Sequence, residues 1–235
     1  MRTKKVIAAI IATVVIACCG VLAALVTWLG FCPGLAAGLA VAATMLLAYA
    51  YVFKPWACRW GATHAEAAAP MPGDELIPDG ATVTRAITID APPERVWPWL
   101  AQLGWGRAGW YSYDWLDNDG RPSADRIIPE LQELHVGDII PMLPGWGPPV
   151  RRLETGSLLV VGDPETGTTG CFLLTPALAG GTRMIVRWRT RRSSGVPALL
   201  AELFILPGSF LLERKMLKNL AARAGATAPS GLPSR

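Results

Sequence analysis

The strongest constraint on this chain lies in its first 53 residues. Val6 to Leu29 is 24 residues without a charge, and Leu35 to Phe53 is a further 19. At ~1.5 Å per residue such stretches make helices of about 36 and 28 Å, close to the roughly 30 Å hydrocarbon core of a bilayer. Gly30-Phe31-Cys32-Pro33-Gly34 separates them and is too short and turn-rich for anything but a tight hairpin loop. Arg2, Lys4 and Lys5 precede the first span, the loop has no Lys or Arg, and Lys54 and Arg59 follow the second. The positive-inside rule then keeps both ends in the cytoplasm, as in a multi-pass protein of the cell (inner) membrane, with the membrane lipid bilayer as its first partner. Trp28, Trp56 and Trp60 stand where interfacial aromatics belong.

A cleaved signal peptide is an alternative, but its apolar region runs only about 7–15 residues. Val15-Ile16-Ala17-Cys18 has the look of a lipoprotein processing site, yet hydrophobicity continues unbroken past Cys18. The five cysteines show no CxxC spacing, and an odd count argues against a disulfide framework or zinc; they read as small apolar packing residues.

From Gly61 to Gly80 the composition shifts to Ala, Pro, Gly and a few acids and reads as a juxtamembrane linker. The domain map is therefore a transmembrane hairpin over 1–60, a linker over 61–80, a domain over 81–224 and a disordered tail over 225–235. The domain is long enough for its own core. It opens with a strand, Thr82 to Ile89, whose Val83, Ile87 and Ile89 share a face. Asp90 is the expected N-cap of a helix that carries Val96, Trp97, Trp99, Leu100 and Leu103 and ends at Gly104. An irregular stretch to Val136 follows, with short helices around 113–117 and 125–132. Strands are expected at 137–142, 149–155, 157–162, 168–175 and 182–190, joined by short turns and so antiparallel. A helical region from about 197 to 224, interrupted near Pro207-Gly208, closes the chain.

That order resembles the START-like, or SRPBCC, helix-grip family. The residues carrying the resemblance are Gly73-Asp74-Glu75-Leu76-Ile77-Pro78, Ile87 to Glu94 with Val96-Trp97-Pro98-Trp99-Leu100, Gly109-Trp110-Tyr111-Ser112-Tyr113-Asp114-Trp115-Leu116, Ser123 to Gln132, and Glu213-Arg214-Lys215-Met216-Leu217. They are similar to those of a bacterial branch of the family. The resemblance implies an α+β fold, an antiparallel sheet wrapped on a long C-terminal helix. It also implies a cavity between sheet and helix for lipids, sterols, polyketides or hormones; some members are cyclases or dehydratases. The paired apolar helices lie outside it and depart from a freely diffusing carrier.

Other motifs carry less. Gly104-Trp105-Gly106-Arg107-Ala108-Gly109 fits GxGxxG, but it follows a helix, whereas a dinucleotide site needs strand, turn and helix N-terminus. His64 and His135 are far apart with no metal-binding spacing, and no nucleophile elbow or P-loop occurs. No catalytic residue, metal or cofactor is expected. Seven aromatics, Trp97, Trp99, Trp105, Trp110, Tyr111, Tyr113 and Trp115, fall within 19 residues. Trp97 and Trp99 are expected to be structural. Trp110, Tyr111, Tyr113 and Trp115 suit a ligand portal, core packing or lipid contact.

Residues 74–138 carry 12 acids against 5 bases and residues 151–235 carry 12 bases against 5 acids, so the two halves are expected to interlock. On the last strand Arg187, Arg189 and Arg191 share one face, solvated or turned to anionic headgroups, while Met184, Val186 and Trp188 share the other and are expected to line the cavity. No nucleic-acid partner is expected, for want of a recognition helix or base-stacking motif. Glu213 falls within the apolar arc of Phe210, Met216, Leu217, Leu220, Ala221 and Ala224. Its readings are a structural ion pair with an arginine such as Arg107, Arg126 or Arg183, a polar anchor for a ligand, or simple exposure. The candidate ligand-binding set is thus Trp110, Tyr111, Tyr113, Trp115, Met184, Trp188 and Glu213. Three functions follow: a membrane-anchored module binding a hydrophobic small molecule or lipid, a cyclase- or dehydratase-like enzyme, and a scaffold with a filled core.

Overall fold

The computed structural model describes residues 2–226, the side chains of residues 2–8, 10, 11, 197, 200 and 201 excepted. The last nine residues, in the segment expected to form a tail, lie outside the described residues. The chain divides into two compact units, Met1–Ala57 and Cys58–Arg235.

In the first unit, helix α1 (Arg2–Leu29) turns at Gly30 into α2 (Phe31–Ala48). A π-helical turn (Tyr49–Phe53) and α3 (Lys54–Cys58) continue the second helix. Both helices are long and apolar enough to cross a membrane. The expected five-residue loop shrinks to Gly30, at φ 84°, because Pro33 falls in the first turn of α2, where its missing N–H costs no helical bond. Gly34 and Gly38 let the two helices close: a Cβ on Gly34 would stand 2.5 Å from the Val26 Cα, and one on Gly38 would stand 2.6 Å from Leu22 Cδ1. Small residues four apart, on one helix face, are the usual means of close packing between membrane helices.

The second unit is α+β. A short α4 (His64–Ala68) precedes β1 (Ala81–Ile89), and α5 (Pro93–Ala101) and α6 (Asp114–Asp117) follow it. Then come β2 (Val150–Glu154), β3 (Leu158–Asp163), β4 (Thr168–Pro176), β5 (Thr182–Thr190) and the long α7 (Gly195–Gly225). The five strands make one antiparallel sheet in the order β1-β5-β4-β3-β2. One face carries Ile89, Met184, Val186, Leu159, Val161, Phe172 and Leu174 and packs with α5 and with Met216, Leu217, Leu220 and Ala224 of α7. This is the helix-grip arrangement, a sheet closed on its terminal helix.

Several local expectations shift. Residues 137–142 make only an isolated bridge, Ile139 with Pro149, since Pro141, Pro144, Pro148 and Pro149 remove the donors a ladder requires. The expected helix over 125–132 is reduced to a 3-10 turn at Pro129–Leu131. Pro92, not Asp90, caps α5. Pro207 lies inside α7 without interrupting it.

The largest difference concerns residues 61–80. Expected as a linker, they fold over the second face of the sheet. Met71 packs there with Ala86, Leu158, Val160, Cys171 and Ile185. A capping box starts α4, with Glu66 N–H donating to Thr63 Oγ1 (3.1 Å) and Thr63 N–H to Glu66 Oε2 (2.7 Å). The backbone N–H of Ala86 donates to the carbonyl of Trp60, so the chain entering this unit also occupies part of the outer edge of β1.

Candidate functional site

The strand register decides which side chains face α7. On β5, Met184, Val186 and Trp188 point inward, and their antiparallel partners Ile87, Arg85 and Val83 on β1 share that face. Trp188 lies opposite Gly170 of β4, where a Cβ would stand 2.5 Å from the indole ring. The glycine thus makes the groove that Trp188 fills, and Phe172 meets the same indole edge-on at 5.9 Å between centroids.

Trp188 and Trp110 are two walls of an apolar chamber whose other sides include Leu103, Met142, Pro148 and Phe172. None of the side chains lining it is ionisable. Its volume is about 10 Å³, room for about one water molecule, against roughly 300–1,000 Å³ for a site that encloses a small molecule. One wall, through Ile140, Met142 and Pro148, belongs to the proline-rich arm 137–149. The arm is tied down by Gly137 N–H to the Val150 carbonyl, Ile140 N–H to the Pro148 carbonyl and Trp105 N–H to the Pro141 carbonyl. Its Ile139, Leu143 and Trp146 are each 43% exposed or more.

The other aromatics expected at this mouth go elsewhere. Tyr111 is 1% exposed and holds the left-handed φ of 55°. Its hydroxyl donates to the Trp99 carbonyl at 3.2 Å and accepts from Gln102 Nε2 at 2.8 Å, and burial pushes the phenol up to about 12. Gln102 is fully buried and also donates to the Arg126 carbonyl and accepts from Ile128 N–H and Gln132 Nε2. This hub, which the sequence reading missed, fixes the aromatic loop from below. Asn219 and Arg223 of α7 fix it from above, through a bond to the Tyr111 carbonyl (2.7 Å) and a guanidinium 4.6 Å from the Tyr111 ring centre. Tyr113 lies under Lys215 Nζ at 3.7 Å and meets the half-exposed Trp115 edge-on. Met184 is wholly buried in the core. Of the seven candidate residues, Trp110 and Trp188 line the chamber, and the other five stand apart from it.

Glu213 forms a buried ion pair. Its Oε2 is 2.5 Å from Arg85 Nη1, with the side chains 9% and 1% exposed. Burial pushes the carboxyl up, opposed by the Arg85 guanidinium. The partner is none of Arg107, Arg126 or Arg183. Arg85 has the parity of Val83, Ile87 and Ile89, and that alternation is the signal that could have found it. Its guanidinium also lies 5.3 Å from the Phe210 ring centre.

The arginine face of β5 is not solvated. Arg187, 3% exposed, uses all five of its N–H donors. They go to the carbonyls of Glu66, Ala67 and Ala69, to Asp74 Oδ2 at 2.8 Å and to Thr84 Oγ1 at 2.9 Å. Arg183 grips Glu66 through Nε and Nη2 at 2.7 and 2.8 Å. Arg183 holds the Glu66 carboxyl at about 2. Arg189 pairs with Asp74 at 3.4 Å. The pairs of Asp74 with Arg187 and Arg189 are one form of the charge interlock expected between the two halves, whereas Glu66 lies outside both; all are made through residues 61–80. Among the described residues, Arg191 stays exposed at the end of this row.

No protein-family model matches the chain, and no curated protein matches it. Solved structures similar to it include a Mesorhizobium loti protein (18% identity, 61% of this chain and 96% of that one, TM-score 0.38). Two more are a polyketide-cyclase-like protein of Corynebacterium glutamicum (15%, 63% and 91%, TM-score 0.31) and the Aha1 dimer of Colwellia psychrerythraea (21%, 57% and 93%, TM-score 0.32). At these scores the fold described above rests on its own strand pairing.

Proposed function

We propose that the chain is a membrane-anchored helix-grip module of the SRPBCC type that takes up a hydrophobic small molecule or lipid behind a movable wall. The observation that carries this reading is the chamber between Trp110 and Trp188. It is apolar on all sides and bounded by an arm, 137–149, that exposes three large hydrophobic side chains beside it. Moving the arm outward would withdraw Ile140, Met142 and Pro148 from the chamber and make room for a ligand. What supports binding over a cyclase or dehydratase reaction is the chemistry of the wall, because acid–base catalysis requires a proton donor or acceptor in reach of the substrate and the lining offers none. The anchor is supported by the two helices of the first unit. The second reading, a scaffold with a filled core, is favoured by the chamber's small volume.

Trp188→Ala separates the two readings. Removing an indole that fills space over Gly170 opens a cavity, and engineered apolar cavities accept apolar guests. For a binding module, the detergent-solubilised full chain shows saturable binding of an anilinonaphthalene probe that is tighter in Trp188→Ala and competed by co-purifying lipid in native mass spectrometry. If the parent neither binds the probe nor carries lipid and only Trp188→Ala gains binding, the filled-core scaffold stands.

A further inference from the structure

Helix α7 changes character along its length. From Gly195 to Leu212 it carries a single charge, Glu202, whereas Glu213 to Gly225 carries Glu213, Arg214, Lys215, Lys218 and Arg223. The later half has its apolar arc in the core, with Met216, Leu217 and Leu220 all buried. In the earlier half large apolar side chains face outward: Val196 is 69% exposed, Leu199 55%, Ile205 66% and Leu211 54%. At ~100° per residue Ile205 lies on the opposite side of the helix from Val196, so apolar side chains are exposed on more than one side of this half, with Glu202 its one charged position. A helix of that kind needs an apolar medium. Residues 196–212 measure about 25 Å at ~1.5 Å per residue, short of the ~30 Å required to cross a bilayer, and Pro207-Gly208 falls within them. Lying within the interface fits better than spanning.

Two further observations name the occupant. The segment is preceded by Arg191 and Arg192, both exposed, on a groove of about 310 Å³ shared with Leu76, Ile77, Pro78, Asp79 and Pro164. Arg191 Nη2 donates to the Pro164 carbonyl at 2.6 Å and Arg192 Nε to the Asp79 carbonyl at 3.1 Å. Backbone carbonyls therefore hold two guanidinium groups in place, with the Asp79 side chain the one carboxylate of the lining. At the other end, Trp60 meets Phe210 edge-on at 6.4 Å and lies under Arg214 at 5.3 Å. Thus the chain arriving from the apolar helices enters this unit beside the apolar half of α7.

We infer that residues 195–212 lie in the surface of an anionic lipid bilayer, with Arg191 and Arg192 at the level of the lipid phosphates. The inference rests on the membrane anchor proposed above. Basic residues next to a membrane segment are each worth about 1 kcal/mol at an anionic surface, so the docking depends on lipid charge.

The test uses the full chain with Cys18, Cys19, Cys32 and Cys58 replaced by alanine, reconstituted in vesicles of phosphatidylcholine alone or mixed with phosphatidylglycerol. A fluorophore is placed by Leu199→Cys, Ile205→Cys or Lys218→Cys, or on Cys19 retained as the sole exposed cysteine, and quenched by nitroxide-labelled lipid. Labels at residues 199 and 205 are quenched and the label at 218 is not. In the mixed vesicles, Arg191→Glu with Arg192→Glu lowers quenching at 205 several-fold while Cys19 stays quenched. Equal quenching at 205 and 218 with Cys19 quenched overturns the docking and leaves the anchor standing. An unquenched Cys19 overturns the anchor. A label at 205 that is shielded without lipid quenching and crosslinks between copies assigns the face to a second copy of the chain, which also overturns the docking.

Discussion

At the scale of single residues, the Arg85–Glu213 pair is a buried ion pair whose contribution can be separated by substitution. Two ions removed from water repay much of their desolvation through each other, so removing one leaves the other buried without its counter-charge, at a cost of roughly 3–5 kcal/mol. Glu213→Leu is therefore expected to destabilise by that amount, as is Arg85→Met. The double variant Arg85→Met/Glu213→Leu is expected to return to within about 1–2 kcal/mol of the parent, because an apolar pair of similar volume replaces the ions. Chemical denaturation of the three variants checks this, and additive losses would contradict it. Half of this pair was legible in the sequence. Glu213 falls inside an apolar arc by helical periodicity, whereas its partner is 128 residues away and is singled out only by strand parity. Tyr111 is the opposite case. A loop tyrosine between Trp110 and Ser112 reads as portal or core equally well, and the buried Gln102 that decides the matter lies in no motif.

Among the elements, residues 61–80 show why composition misleads. Ala, Pro and Gly carry no periodic pattern, so the stretch reads as a spacer. What binds it to the sheet is largely its own backbone carbonyls, those of Gly61, Glu66, Ala67, Ala69 and Pro78, offered to arginines of β5. Carbonyls leave no trace in a sequence. The strands were legible because apolar alternation and turn residues bracket them, but the arm 137–149 was not, since its apolar residues suggest a strand that its prolines prevent. Thr63→Ala, which removes the capping bond of α4, is expected to cost about 0.5–2 kcal/mol. Arg187→Met, which leaves Asp74 and three carbonyls without their buried donor, is expected to cost more than Thr63→Ala. A urea midpoint unchanged in Arg187→Met would show that the segment is not part of the folded unit.

For the molecule as a whole, Asp117 and Glu66 contribute to opposite limbs of the pH dependence. Burial pushes Asp117 from its ordinary 3.8 up to about 6. A raised acid contributes stability that is complete below about 4 and is lost as pH rises through about 6. Arg183 holds Glu66 at about 2, below its ordinary 4.5. A depressed acid contributes stability that is present above about 4.5 and is lost as pH falls towards about 2. The contributions of these two groups together are greatest near pH 4, between their ordinary values of 3.8 and 4.5. Melting temperatures across pH 2–8 are expected to show Asp117→Asn flattening the limb between about 4 and 6 and Glu66→Gln flattening the limb between about 2 and 4.5. A limb that keeps its slope after its own carboxyl is removed would assign it to another group.

The five-bond hold of Arg187 also has a mechanical consequence. Tension arriving along the chain at Cys58 would load the single Trp60–Ala86 bond to β1 and then the more densely held residues 61–74. Along that stretch Arg183 and Arg187 grip Gly61, Glu66, Ala67, Ala69 and Asp74. Bonds gathered on one rigid guanidinium share a load and yield together, whereas the ladder of an edge strand such as β1 peels one bond at a time. If the first unit is anchored as proposed, the folded segment is expected to act as a strain relief, taking a pull from that side before the sheet behind it changes shape.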